Sequence, residues 1–290
     1  MKILDCIVLA YEGPILRAYL SVIKNSGYKV KKVIKLYNGH QKLQWLPQIL
    51  RNPFLFSQES LSNNYWPIKF FKDKNLSQNI ISSIIENYNL YANFFDLIGR
   101  SCINYSEIAE ECIYFDWGEK GWKNEKLFEL LKSLGSQTYL FTGGGLVPKC
   151  ILELPNTEFV HVHPGFLPYT RGADGILWSI LTRGQPGAAC FYMVPKLDEG
   201  NVILTEEYPS LQFQSVSDDL KTLYRLVFSF YDPAVRALCL KHVLEKYGTL
   251  CHLSSAPQDT SKGITFHFIH DELKKKVLDE VFCCPQKTQN

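Results

Sequence analysis

The sequence has no apolar run long enough to cross a membrane, no Cys-x-x-Cys, and almost no net charge. Each lack removes a class of reading. Without about 20 consecutive apolar residues, no transmembrane helix is expected. Residues 1–5 carry charge, too short an apolar run and no cleavage pattern, so no signal peptide is expected either. Lys and Arg number 31 against 29 Asp and Glu, a formal charge of +2. That leaves no electrostatic case for nucleic acid or an anionic membrane surface. The cysteines number nine, an odd count, and a reducing, cytoplasmic protein with free thiols is expected. The first strand is not followed by Gly-x-Gly-x-x-Gly, so nothing favours a dinucleotide. There is no internal repeat and no low-complexity block.

What is present describes an ordinary globular chain. Its 290 residues are 46% hydrophobic and 21% charged, enough to bury a substantial core. Residues 3–11 read as a buried strand and residues 15–26 as a helix, with Leu16, Leu20 and Ile23 on one face. Gly27 ends that helix, and residues 30–36 form a second strand. This strand–helix–strand start predicts a Rossmann-like α/β domain with a mostly parallel sheet flanked by helices. Further strands are expected at 111–115, 138–142, 188–194 and 202–208, with an amphipathic helix at 124–134. A short helix is expected at 146–152, starting directly after three glycines. Residues 216–247 read as helical, broken near Asp232-Pro233, with a last strand at 264–269 and a helix at 273–282. A catalytic domain is expected over 1–210, and a helical segment with a small C-terminal extension over 211–290. Residues 41–95 scatter aromatics among prolines and asparagines: a packed insertion, with a lid or an oligomer contact as alternatives. Residues 285–290 are expected to be disordered.

The densest chemistry lies between residues 158 and 203. Phe159-Val160-His161-Val162-His163 reads as a short buried strand, rich in residues that favour one. Pro164 cannot join a ladder and ends it. Alternation puts His161 and His163 on one side, at a C-terminal strand end, where open parallel sheets bind ligands. Then come Pro164-Gly165-Phe166-Leu167-Pro168, Arg171-Gly172 and Asp198-Glu199-Gly200. Asp198 falls on a loop between two strands, free to face a cleft. An imidazole suits proton transfer near neutrality, and a carboxylate beside it orients it and favours its charged form. Taken singly, these features are bland. A histidine pair on a strand is more often a satisfied core feature, Asp-x-Gly is usually a turn, and three glycines are only a loop. Their order within one stretch makes them candidates. Arg171 has two equal readings: it holds the proline-containing loop through backbone carbonyls, or it binds substrate.

This series resembles the signature of the folate-dependent formyltransferases, the family of glycinamide ribonucleotide, methionyl-tRNA and sugar N-formyltransferases. Their pattern is roughly Asn-x-His-Pro-x-x-Leu-Pro, then Arg-Gly, then Asp-x-Gly. His163 falls on the family's catalytic histidine and Asp198 on its aspartate. His161 stands where the family has its catalytic asparagine. Upstream, residues 139–148 are similar to the strand and loop that line the folate pocket, which implies cofactor-binding roles for Gly143, Gly144, Gly145, Leu146 and Val147. The resemblance implies a one-carbon transferase with two small-molecule substrates, 10-formyltetrahydrofolate as formyl donor and a primary amine as acceptor. An amino sugar nucleotide is the first candidate for that amine. It further implies that His163 acts as acid/base, Asp198 orients it, and His161 assists the oxyanion. A neutral imidazole has one donor and one acceptor, like a carboxamide, but on a rigid ring with different reach. Two close imidazoles resist being charged together, so at most one is expected to be protonated at neutral pH.

Other readings stay open at this point. Water can replace the amine, giving a formyltetrahydrofolate hydrolase, or the site can be inert and the domain a folate-binding module. A His-x-His metal-dependent hydrolase is weaker, because no further His or Glu stands at a ligand spacing, and no metal is expected.

Overall fold

The computed structural model describes residues 1–37, 47, 67–100, 102–118 and 120–283. Its strands are β1 (Lys2–Tyr11), β2 (Tyr28–Tyr37), β3 (Ala109–Asp116), β4 (Gln137–Phe141), β5 (Thr157–His163), β6 (Thr170–Gly172), β7 (Gly187–Tyr192), β8 (Val202–Glu207), β9 (Phe213–Gln214), β10 (Ile264–Phe266) and β11 (Phe282–Cys283). Seven of them form one sheet in the order β3-β2-β1-β4-β5-β7-β8. The first five in that order run parallel, and β7 and β8 are antiparallel. The mostly parallel α/β sheet expected from the sequence is therefore present. Two small parallel pairs, β6–β10 and β9–β11, tie the C-terminal part back to the middle of the chain.

Local chemistry explains the helices. In α1 (Pro14–Asn25) a proline opens the helix, where its missing N–H costs nothing. Asp73, Asn124 and Asp219 cap the starts of α2 (Lys74–Asn87), α3 (Glu125–Ser133) and α4 (Leu220–Leu226), each accepting from a first-turn backbone N–H. A π turn, Val227–Tyr231, runs directly from α4 into α5 (Asp232–Tyr247), which ends on Gly248 at φ +66°. Pro233 sits in the first turn of α5, as expected. The chain is nevertheless continuous through this point, because the π turn absorbs the lost hydrogen bond instead of a break.

The sheet separates two cores by simple alternation. Along β1, Cys6, Val8 and Ala10 face a core shared with α1 and α5, whereas Ile7 and Leu9 face one built by Leu127 and Leu131 of α3. Each such Leu or Ile, fully buried, contributes about 2 kcal/mol. Ala234, Val235, Leu238 and Leu240 of α5 lie in the same core as α1 and β1. Residues on both sides of position 210 thus share this core.

Other differences are local. The short helix begins at Lys149, after Pro148, so the glycines do not lead directly into it. The last expected strand is only three residues long, Ile264–Phe266. Of the aromatic insertion, Phe70 and Phe71 pack against the larger core. Trp45, Phe54, Phe56, Tyr65 and Trp66 lie outside the described residues, as do Cys284 and the tail expected to be disordered. The other eight cysteines are free.

Candidate active site

The cleft opens at the C-terminal ends of β4 and β5, beside the point where strand order reverses about β1. Its volume is about 390 Å³, within the range of small-molecule sites. β5 reaches it because alternation sends Val160 and Val162 into the larger core and His161 and His163 to the opposite face. In the sheet, His161 pairs with Phe191 and His163 with Ala189. Both histidines and Asp198 line the cleft, so the three candidates named from sequence are brought together.

His161 is 8% exposed. Its Nδ1 lies 3.0 Å from the carbonyl oxygen of Phe141, the last residue of β4. A carbonyl can only accept, so Nδ1 carries the proton and donates. The ring is flanked by Phe141 and Phe191, with centroids 5.5 Å and 6.0 Å away. Burial, then the nearby Arg236 charge, pushes its pKa down to about 4, against the opposing pull of the Phe141 bond and Asp198. The ring is therefore neutral near pH 7, and its other nitrogen, Nε2, is a lone pair. With its one N–H committed to Phe141, His161 has none left to donate to an oxyanion.

His163 repeats the pattern in reverse. Its Nε2 donates to the carbonyl oxygen of Thr170 at 2.8 Å. Its Nδ1 lies 3.5 Å from Asp198 Oδ2, longer than a formed hydrogen bond but close enough for charge to matter. Burial lowers its pKa first of all, Asp198 opposes that, and Arg236 adds to it. Asp198 sits at φ +53°, a conformation that Asp tolerates better than most. Its Oδ2 accepts from Gly172 N–H at 2.9 Å, and its carbonyl accepts from Gln258 Nε2 at 2.9 Å. Gly172 is required here: its φ is +95°, and a Cβ would lie 2.1 Å from the Phe266 carbonyl oxygen.

Residues 143–147 line the cleft. A Cβ on Gly143 would meet the outer edge of the Phe141 ring at 2.6 Å. Gly144 and Gly145 have open space there. Leu146, 68% exposed, and Phe268, 79% exposed, give the cleft an apolar rim suited to a flat aromatic ring. Of the two roles weighed for Arg171, the structure shows the first. Its guanidinium donates to the carbonyls of Pro168, Thr260 and Gly263 and to Thr265 Oγ1, and it is not among the cleft-lining residues.

Sequence reading missed Arg236. It lines the cleft from α5, is 8% exposed, and donates Nη1–H to the Val162 carbonyl at 3.1 Å. Its Nε lies 3.3 Å and 3.1 Å from the two oxygens of buried Asp232. The only sequence signal was Asp and Arg four apart on a helix, which is usually a surface pair. Asp174, also on the cleft wall, accepts from Tyr224 Oη and the Ile269 N–H. Among the described residues no group of three His, Cys, Asp or Glu is placed to hold a metal ion, which gives the His-x-His reading no third ligand.

Comparison with known proteins gives methionyl-tRNA formyltransferases among the relatives by sequence. Over 91 residues the chain is 32% identical to the methionyl-tRNA formyltransferase of Syntrophus aciditrophicus (strain SB), covering 31% of this chain and 29% of that protein. Over 129 residues it is 28% identical to the methionyl-tRNA formyltransferase of Fusobacterium nucleatum subsp. nucleatum, covering 42% of each. The matches thus span less than half the length of these relatives. Among solved structures, a 4-N formyltransferase from Francisella tularensis superposes with a TM-score of 0.45 at 15% identity, covering 98% of this chain and 89% of that one. No family model matches. By sequence, the chain resembles the folate-dependent formyltransferases.

Proposed function

We propose that this protein transfers a formyl group from 10-formyltetrahydrofolate to a primary amine, with an amino sugar nucleotide the first candidate acceptor. The observation that carries the reading is the meeting of His163 and Asp198, 3.5 Å apart, across a cleft bordered by residues 143–147. The apolar rim of Leu146 and Phe268 suits a pterin. The choice of acceptor rests on the resemblance alone.

The chain's own groups divide the work. Amine attack on the formyl carbon places negative charge on its oxygen and leaves a surplus proton on the new nitrogen. His163 Nδ1, facing the cleft beside Asp198, takes that proton, and the carboxylate favours the imidazolium so formed. The Thr170 carbonyl holds the ring by its other nitrogen and fixes which tautomer faces the substrate. Returning the proton to the departing nitrogen completes the exchange. Gly172 N–H holds Asp198 in place throughout.

A thermal shift with 5,8-dideazafolate, a stable folate analogue, tests the cofactor. Wild type should be stabilised, and His163→Ala should still bind while turnover falls by about 10² or more. Absence of any shift in wild type would sink the reading. A lone-pair imidazole activates water as readily as an amine, so hydrolysis is the second reading. Tetrahydrofolate released without added amine would establish it.

A further inference from the structure

Resting on that reading, we infer that the Arg236 guanidinium meets the formyl oxygen as it becomes an alkoxide. Each imidazole spends its single N–H on a backbone carbonyl, His161 on Phe141 and His163 on Thr170. Toward the cleft both then present lone pairs, and a lone pair repels an alkoxide. The side chain that must hold the oxygen therefore lies elsewhere. Among the described residues two cations line the cleft, Lys196 and Arg236. The Lys196 side chain is 80% exposed and lies 3.6 Å from Glu199, so it belongs to the rim. Arg236 is only 8% exposed, lines the cleft, and its charge acts on both histidines.

Its support is rigid. Asp232 holds Nε, the Val162 carbonyl holds Nη1 and the Tyr19 hydroxyl is a further partner, which still leaves part of the five N–H donors of a guanidinium uncommitted. Val162 lies between the two histidines in sequence, so one strand fixes the bases and anchors the cation. The π turn immediately before Asp232 shifts the helical register that brings Arg236 to the cleft, and such turns often occur at functional sites. A preset cation acts without reorganising as charge develops.

The amine nitrogen bonds to the formyl carbon, and the C=O π pair moves onto oxygen, opposite Arg236. The amine proton passes to an imidazole lone pair. The pair then returns from oxygen, the bond from carbon to the donor nitrogen breaks, and that nitrogen takes the proton from the imidazole. Arg236 gives up no proton.

The test uses full-length protein, 10-formyl-5,8-dideazafolate as donor and hydroxylamine as amine. Arg236→Gln should lower kcat by about 10²–10³-fold with donor KM little changed, and Arg236→Lys by less. Millimolar guanidinium chloride should restore at least about tenfold in Arg236→Gln and nothing in wild type. If Arg236→Gln keeps kcat within about threefold of wild type, the inference falls. It falls too if the loss follows weaker 5,8-dideazafolate binding or melting, and guanidinium restores nothing. Should His163→Ala be inactive while Arg236→Gln turns over normally, transfer stands and only the role of Arg236 is lost. A wild-type protein that binds 5,8-dideazafolate yet never deformylates the donor removes both.

Discussion

A neutral imidazole has one N–H, and where it points decides what the ring can do. At position 161 it points at the Phe141 carbonyl. The depressed pKa there has a consequence for stability. Between the ordinary value of 6.5 and about 4, the unfolded chain binds a proton that the native ring refuses. Native stability is therefore full above pH 6.5 and declines as pH falls toward about 4. The size is on the order of a few kcal/mol. The lowered pKa of His163 acts in the same direction. Urea unfolding at pH 7.5 and 4.5 should show a clearly smaller acid loss in His161→Asn than in wild type, and equal losses would contradict the assignment. His163 and Asp198 were legible in sequence because their roles travel with short local patterns. Arg236 was not, because its meaning depends on which strand its helix packs against, and helical spacing alone does not carry that.

At the scale of elements, the site hangs on very short pieces. β6 is three residues long and pairs with β10, itself three residues. Together they hold the Gly172 N–H that fixes Asp198. Gly172→Ala should cost at least about 2 kcal/mol, since it combines a left-handed φ with a backbone clash. Its formyl-transfer activity should fall further than its lost stability explains, because Asp198 loses its anchor. Chemical denaturation and a turnover assay on one preparation check both. The long strands and amphipathic helices were readable from periodicity, as at β1, α1 and α3. β6 was not, because three residues carry no period. The start at Lys149 was missed because Pro148 keeps the preceding loop extended, although the apolar residues around it read as helix.

Across the whole molecule, one buried charge cluster joins distant parts. Glu12, after β1, lies 2.8 Å from Arg17 Nε in α1 and 2.9 Å from Lys35 Nζ in β2. Arg17 also donates to the Leu97 and Arg100 carbonyls. Burial alone would raise the Glu12 carboxyl. The Lys35 and Arg17 charges outweigh it and hold it at about 2. Its contribution is present above the ordinary carboxylate range and is lost as pH falls through about 2. Glu12→Gln deprives two buried cations of their carboxylate and should cost about 3–5 kcal/mol, read as a lowered midpoint in urea at pH 7. A midpoint within error of wild type would show that the cluster contributes nothing.

The pairing of Thr170 with Ile264 joins positions far apart along the chain. During synthesis, the carboxylate of Asp198 cannot be locked against His163 until β10 has cleared the ribosome. Nascent chains ending before that point carry both groups and lack the working arrangement.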